Sequence, residues 1–233
     1  MAFDFRHVSL PDLAEQVRRR EVSARELVEH ALARIDALNP RLNAFVAVDA
    51  DDARAQAAAV DERIVRGEDV GPLAGIPIGV KDLEDARGFV TAKGNAKYAV
   101  APPAEADSVQ VARLRAAGCV VLGKTNAPEF GLRAETDNPV FGITRNPWDP
   151  SRTSGGSSGG SSSAVAAGMV ALATGSDGGG SIRIPSAATG LSGLKPTQGW
   201  VPAGDASAVS WQDLSTRGPM ARRVVDVAFA LDV

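Results

Sequence analysis

The sequence predicts an α/β protein, a mixed twisted sheet flanked by helices, and three observations carry that prediction. Helical periodicity opened by serine cap signals dominates the first part of the chain. Further on, short apolar runs, Leu73–Val80 and Cys119–Gly123, alternate with helical patterns, as strands buried on both faces of a sheet do. Finally, two Gly/Ser-rich turns, Gly155–Gly160 and Gly175–Ser181, flank an apolar Ala/Val/Met run. A solvated linker does not alternate in this way, so the turns are held in place.

Each element follows in order. Ser9 with Leu10, Leu13 and Val17 opens a first amphipathic helix, and Ser23-Ala-Arg-Glu26 is a capping box opening a second, through about Leu38. Ala44–Val48 reads as a short strand and Asp51–Val65 as a helix ending before Gly67 and Gly71. Leu73–Val80 is a buried strand with Lys81 at its end and Asp82 beside it. Glu105–Ala117 reads as a helix, Cys119–Gly123 as a parallel-type strand and Thr125–Gly131 as a loop. Asn146–Arg152 has turn chemistry, Ala164–Thr174 is good helix-forming material, and Gly190–Thr197 reads as a strand and turn. Val224, Val227, Ala228 and Leu231 form a last helical pattern that runs to the chain end without a stop signal. The organisation expected is an N-terminal helical region, about 9–66, and a catalytic core, about 72–200, within a domain over 1–233.

Composition narrows the function. With 233 residues, 44% of them hydrophobic, the chain can bury a sizeable core, and a net charge of -3 with interspersed signs leaves no electrostatic footprint for nucleic acid or an anionic membrane. The longest apolar run, Ala164–Ala173, is about half of what a bilayer span needs. Cys119 is the single cysteine, which excludes an internal disulfide, and the N-terminal sequence has no signal-peptide pattern, so the chain reads as cytoplasmic. No Cys, His, Asp and Glu cluster has metal-ligand spacing, and no cofactor or metal is expected.

Several short motifs invite chemistry that their context rejects. Gly118–Thr125 satisfies the phosphate-loop pattern, but the residues that would have to form the loop are themselves the strand. Gly155-Gly-Ser-Ser-Gly159 resembles a nucleophile elbow, yet both histidines, His7 and His30, precede it. Ser192-Gly-Leu-Lys195 lacks the companion motifs of a serine–lysine enzyme and reads as structural. With no histidine in place, a serine nucleophile needs another base, and a lysine serves once burial disfavours its charge. Lys81 is the best candidate, although a lysine snorkelling from a strand end competes with that reading. The backbone N–H groups of Gly178, Gly179, Gly180 and Ser181 are near-consecutive and suited to stabilising an oxyanion.

Five stretches, in order, carry a specific resemblance: PLAGIPIGVKDLED (72–85), LGKTNAPEFG (122–131), NPWDPSRTSGGSSGGSSSAVAAG (146–168), TGSDGGGSIRIPSAATGLSGLKPT (174–197) and RGPMAR (217–222). Through them the chain resembles the amidase signature family of serine amidohydrolases. The resemblance implies a Ser–cis-Ser–Lys triad in which Ser181 attacks an amide carbonyl, Ser157 on a cis peptide relays the proton, and neutral Lys81 is the base. It further implies an oxyanion hole on Gly178, Gly179 and Gly180, with Asp177 and Arg183 bracing that loop. Position 178 is glycine where many members have threonine or isoleucine. Members run to about twice this length, so an incomplete sheet is expected, to be completed by a missing C-terminal half or by a homodimer. The expected function is hydrolysis of a small-molecule amide to acid plus ammonia or amine through an acyl-serine. The rivals are the A subunit of a tRNA-dependent amidotransferase, which releases ammonia from glutamine, and an inactive half-domain. Against that amidotransferase stand Ile184, where its A subunit tends to have glutamine, and LED after Lys81 in place of an asparagine-containing run. Trp148, Trp200 and Trp211 are candidates for an apolar acyl pocket, and equally for core.

Overall fold

The computed structural model describes residues 4–202 and 214–233. Helix α1 (Leu10–Arg18) begins at Ser9, whose hydroxyl accepts the Asp12 N–H. Helix α2 (Ala24–Leu42) opens on the expected capping box, Ser23 Oγ accepting the Glu26 N–H at 3.1 Å while the Glu26 carboxylate accepts the Ser23 N–H at 2.8 Å. It runs past Leu38 and through Pro40, because a proline near a helix end removes one N–H donor without removing the packing that holds the helix. Asn39 makes the exit: its side chain accepts the N–H groups of Ala44 and Phe45 and donates to the Phe45 carbonyl, aiming strand β1 (Phe45–Val48) off the helix. Helix α3 (Ala50–Val65), capped by Asp49, packs Ala53, Ala57, Val60 and Ile64 inward.

Next come β2 (Pro77–Lys81), a one-turn helix α4 (Ala96–Ala99), α5 (Val109–Ala116), β3 (Val120–Thr125) and a 3₁₀ turn at Glu129–Gly131. α5 starts at its Ser108 cap instead of at Glu105, and α4 has no counterpart in the sequence reading. The chain then forms α6 (Gly159–Ala166), β4 (Leu172–Asp177), α7 (Arg183–Thr189), the two-residue β5 (Ser192–Gly193), β6 (Thr216–Ala221) and α8 (Val224–Leu231). The final helix closes at Leu231 instead of running to the end.

The Ala164–Thr174 expectation is overturned. The helix lies earlier, on Gly159–Ala166, and Leu172 already starts a strand. All eight residues of α6 are buried, so no polar face marks it in the sequence. Gly160 shows why the run is so small: a Cβ there would stand 2.2 Å from the Asn126 nitrogen and 2.6 Å from the Ala44 carbonyl. The serines of this buried helix find acceptors, Ser161 on the Thr174 carbonyl, Ser162 on Ser154 and Ser163 on Arg145.

The six strands form one mixed sheet in the order β1-β3-β2-β4-β6-β5, with β2 parallel to both β3 and β4, and the other pairs antiparallel. The N-terminal helical region thus contributes a strand to the same sheet as the rest. β2 is flanked by β3 on one side and β4 on the other, which makes its C-terminal end a topological switch point, where α/β sheets open a crevice. Lys81 is the last residue of β2. Ser176 and Asp177 end the neighbouring β4, opposite Arg217 and Thr216 of β6.

Candidate active site

Lys81 is 0% exposed. Its Nζ lies 2.8 Å from Ser157 Oγ, 3.0 Å from Ser176 Oγ and 3.3 Å from the Ser176 carbonyl, so every hydrogen bond of the amine goes to a serine oxygen. Burial pulls its pKa from 10.5 to about 7, against the opposing negative charges of Glu84 and Asp177. The snorkelling alternative fails on this geometry, since the amine points into the protein.

Ser157 sits in the first Gly/Ser turn, in the loop leading into α6, and the Gly156–Ser157 peptide bond is cis. Thr136 clamps that loop from the side, its hydroxyl donating to the Gly155 carbonyl and accepting the Gly159 N–H. The Ser158 N–H donates to the Ser181 carbonyl at 3.2 Å, which ties this loop to the one after β4. Ser181 itself is half-buried, and its hydroxyl makes no hydrogen bond among the described residues. The structure therefore joins Lys81 to Ser157 directly and brings Ser181 alongside through the backbone, without an Oγ–Oγ hydrogen bond between the serines.

Asp177 organises the glycine loop. Its buried carboxylate accepts the N–H of Gly180 at 2.7 Å, of Ile182 at 3.2 Å and of Arg183 at 3.3 Å, and two bonds from the Arg183 guanidinium at 2.9 Å. Burial alone raises such a carboxyl, but Arg183 and these N–H groups outweigh it and hold the pKa at about 2. The Gly180 N–H is engaged by Asp177, whereas the N–H groups of Gly178, Gly179 and Ser181 have no partner among the described residues.

Ser176 is the contact that sequence reasoning missed. It was one of many serines in the stretch, and only its place beside Asp177 at a strand end set it apart. Trp148 and Trp200 lie elsewhere. Trp148 donates to the Thr189 carbonyl at the end of α7, and Trp200 borders a cavity of about 50 Å³ with Leu172 and Pro219, at the opposite end of β4 from Asp177. Trp211 lies outside the described residues. Lys124 of the phosphate-loop pattern is in strand and buried, donating to the Glu84 carbonyl and Thr91 Oγ1, and Cys119 is buried with its thiol pushed up. His7 and His30 belong to the N-terminal region, and among the described residues no His, Cys, Asp and Glu group could hold a metal.

The mixed α/β sheet thus carries a buried lysine of lowered proton affinity on a serine, beside a glycine loop ending in a second serine. Comparison with known proteins places the chain in a family. The profile of the family described as Amidase matches residues 26–233, and the chain belongs to that family. Among curated relatives, the A subunit of the glutamyl-tRNA(Gln) amidotransferase of Acidothermus cellulolyticus is 49% identical over 219 residues, covering 94% of this chain and 43% of the relative. Putative amidase AmiB2 of Mycobacterium tuberculosis is 48% identical over 211 residues, covering 91% and 45%. The solved structure of a bacterial aryl acylamidase of the amidase signature family superposes with a TM-score of 0.89 at 37% identity, over 97% of this chain and 47% of that one. The chain thus spans a little under half the length of the relatives it matches.

Proposed function

We propose that this chain carries the serine–lysine machinery of an amidohydrolase, which cleaves a small-molecule carboxylic amide to acid plus ammonia or amine. The observation that carries the reading is the buried Lys81 amine, 2.8 Å from Ser157 Oγ, with a pKa drawn down to about 7. In this reading neutral Lys81 gives its two N–H groups to the oxygens of Ser176 and turns its lone pair to the Ser157 hydroxyl. Ser157 passes its proton to Lys81 and takes one from Ser181. Ser181 Oγ, rotated toward Ser157, forms the new C–O bond at the amide carbonyl, and the oxyanion is met by the N–H groups of Gly178, Gly179 and Ser181. The proton returns through Ser157 to the leaving nitrogen, the C–N bond breaks, and an acyl ester stays on Ser181. Water attacks that ester by the same relay and frees the acid.

The acyl pocket is completed in this account by a further part of the polypeptide or by a second copy, and the lone buried Cys119 supports a cytoplasmic setting. The alternative is the amidotransferase A subunit, which the 49% identical relative favours and which uses glutamine as ammonia source. Product analysis with simple aryl and alkyl amides and with glutamine, on the wild type and on Ser181→Ala, decides between them. Amine release from aryl amides that Ser181→Ala abolishes is expected. Ammonia from glutamine alone supports the amidotransferase reading, and no product from either class removes the hydrolase reading for this chain.

A further inference from the structure

Ser157 is placed by its loop, and the loop is held from outside. Thr136 follows four exposed residues, 132–135, yet is itself 1% exposed. Its hydroxyl donates to the Gly155 carbonyl at 2.9 Å and accepts the Gly159 N–H at 3.1 Å, one bond on either flank of Ser157. Among the described residues, that carbonyl has one other donor, Ser154 Oγ at 3.4 Å, and the Gly159 N–H has no other acceptor. One hydroxyl thus supplies a donor and an acceptor to backbone groups that so tight a turn does not satisfy within itself.

Thr136 stands on a fixed base. Its carbonyl accepts the Thr144 N–H at 2.9 Å, and the Thr144 hydroxyl donates to the Asn43 carbonyl at the exit of α2 and accepts from Asn126, which follows β3. The Ser157 loop is in turn pressed between two backbones. A Cβ on Gly156 would stand 2.7 Å from the Glu135 carbonyl, and one on Gly155, whose φ is 78°, would stand 2.7 Å from Pro185 Cα in α7. That helix begins two residues beyond Ser181, and the Ser158 N–H donates to the Ser181 carbonyl. A displacement on the Thr136 side therefore moves Ser157 relative to both Lys81 Nζ, 2.8 Å away, and Ser181.

Given the serine–lysine reading, we propose that Thr136 is a positioning residue, whose hydroxyl holds the Ser157 loop at the spacing that lets Ser157 serve Lys81 on one side and Ser181 on the other. Thr136 itself takes no part in the bonds that form and break. It acts on geometry, and a misplacement of about 1 Å costs about 100-fold in rate.

Two variants of the full chain separate the hydroxyl from the shape: Thr136→Val keeps the shape and loses the hydroxyl, and Thr136→Ser keeps the hydroxyl. Both are compared with the wild type by the rate of fluorophosphonate labelling of Ser181 and by steady-state hydrolysis of an aryl amide. Thr136→Val is expected to label and turn over about 10- to 100-fold more slowly with KM within about twofold, and Thr136→Ser to stay within about threefold of the wild type. A Thr136→Ser as slow as Thr136→Val overturns the inference. So does a Thr136→Val that melts at a lower temperature but keeps its kcat per folded molecule, which is a purely structural role. Should Thr136→Val not fold, amide exchange in the wild type decides. The Gly159 N–H is expected to exchange as slowly as that of Gly160, which donates to the Asn126 carbonyl, and fast exchange at Gly159 alone overturns the inference. A wild type that neither labels nor hydrolyses removes the serine–lysine reading and this inference with it, whereas an active wild type matched by Thr136→Val refutes this inference alone.

Discussion

Replacing Asp177 with asparagine removes the anchor of the glycine loop while leaving its shape nearly intact. The carboxylate gathers the N–H groups of Gly180, Ile182 and Arg183 and the Arg183 guanidinium, and these hold its pKa at about 2 against an ordinary 3.8. A shift of nearly two units corresponds to roughly 2.5 kcal/mol of folding stability at neutral pH. Because the folded-state pKa is the lower one, this stability is fully present above about pH 4 and is lost as pH falls toward 2. Asparagine also turns one acceptor into a donor facing other donors, so the full cost at pH 7 is about 3 kcal/mol, or a urea midpoint lower by about 1 M. Urea unfolding of both proteins at pH 7, 4 and 3 reads the difference, in which all other titrating groups cancel. The gap is expected to narrow between pH 4 and 3. A gap under about 0.5 kcal/mol at pH 7, or one that does not depend on pH, refutes the assignment of Asp177 as an ionised anchor.

Three further outcomes are expected. The rate of Ser181 acylation rises with pH through about 7, and not through the ordinary lysine range, because Lys81 acts only when neutral; stopped-flow release of the leaving group reads it, and Lys81→Met both lowers and flattens the profile. Ser176→Ala removes one of the oxygens that orient the Lys81 amine and slows acylation by about tenfold, with KM little changed, as steady-state kinetics will report. Gly131→Ala destabilises the fold by about 1–2 kcal/mol in thermal melts, since Gly131 has a φ of 73° and a Cβ there would meet Leu83 and stand 3.2 Å from Ser157 Oγ.

What was legible in the sequence was whatever local chemistry fixes. Ser9 and Ser23 announce their helices because a side chain bonds the backbone three residues on. The apolar run Leu73–Val80 announces a buried strand but not its bounds: residues 72–75 form a turn with Gly75 at a φ of 73°, and the strand is Pro77–Lys81. Lys81, Ser157 and Ser181 could be named because an ordered set of motifs surrounds them. The buried helix α6 was misplaced because a helix enclosed on all sides has no periodicity to read, and its glycines report close approach and not a turn. β6 escaped because Gly218 and Pro219 look like a turn until the partner strand β4 is known. The contacts of Ser176 and the engagement of Gly180 by Asp177 depend on how two strands and a loop meet, which no local pattern encodes.

The central claim is that Ser181 is the nucleophile, served by Ser157 and Lys81. An active-site-directed fluorophosphonate followed by peptide mass spectrometry tests it most directly, on the wild type and on Ser157→Ala, Lys81→Met and Ser181→Ala. One adduct is expected, on Ser181, forming rapidly in the wild type, much more slowly without Ser157 or Lys81, and not at all in Ser181→Ala. An adduct on Ser157, Ser176 or Ser192 that persists in Ser181→Ala would contradict it.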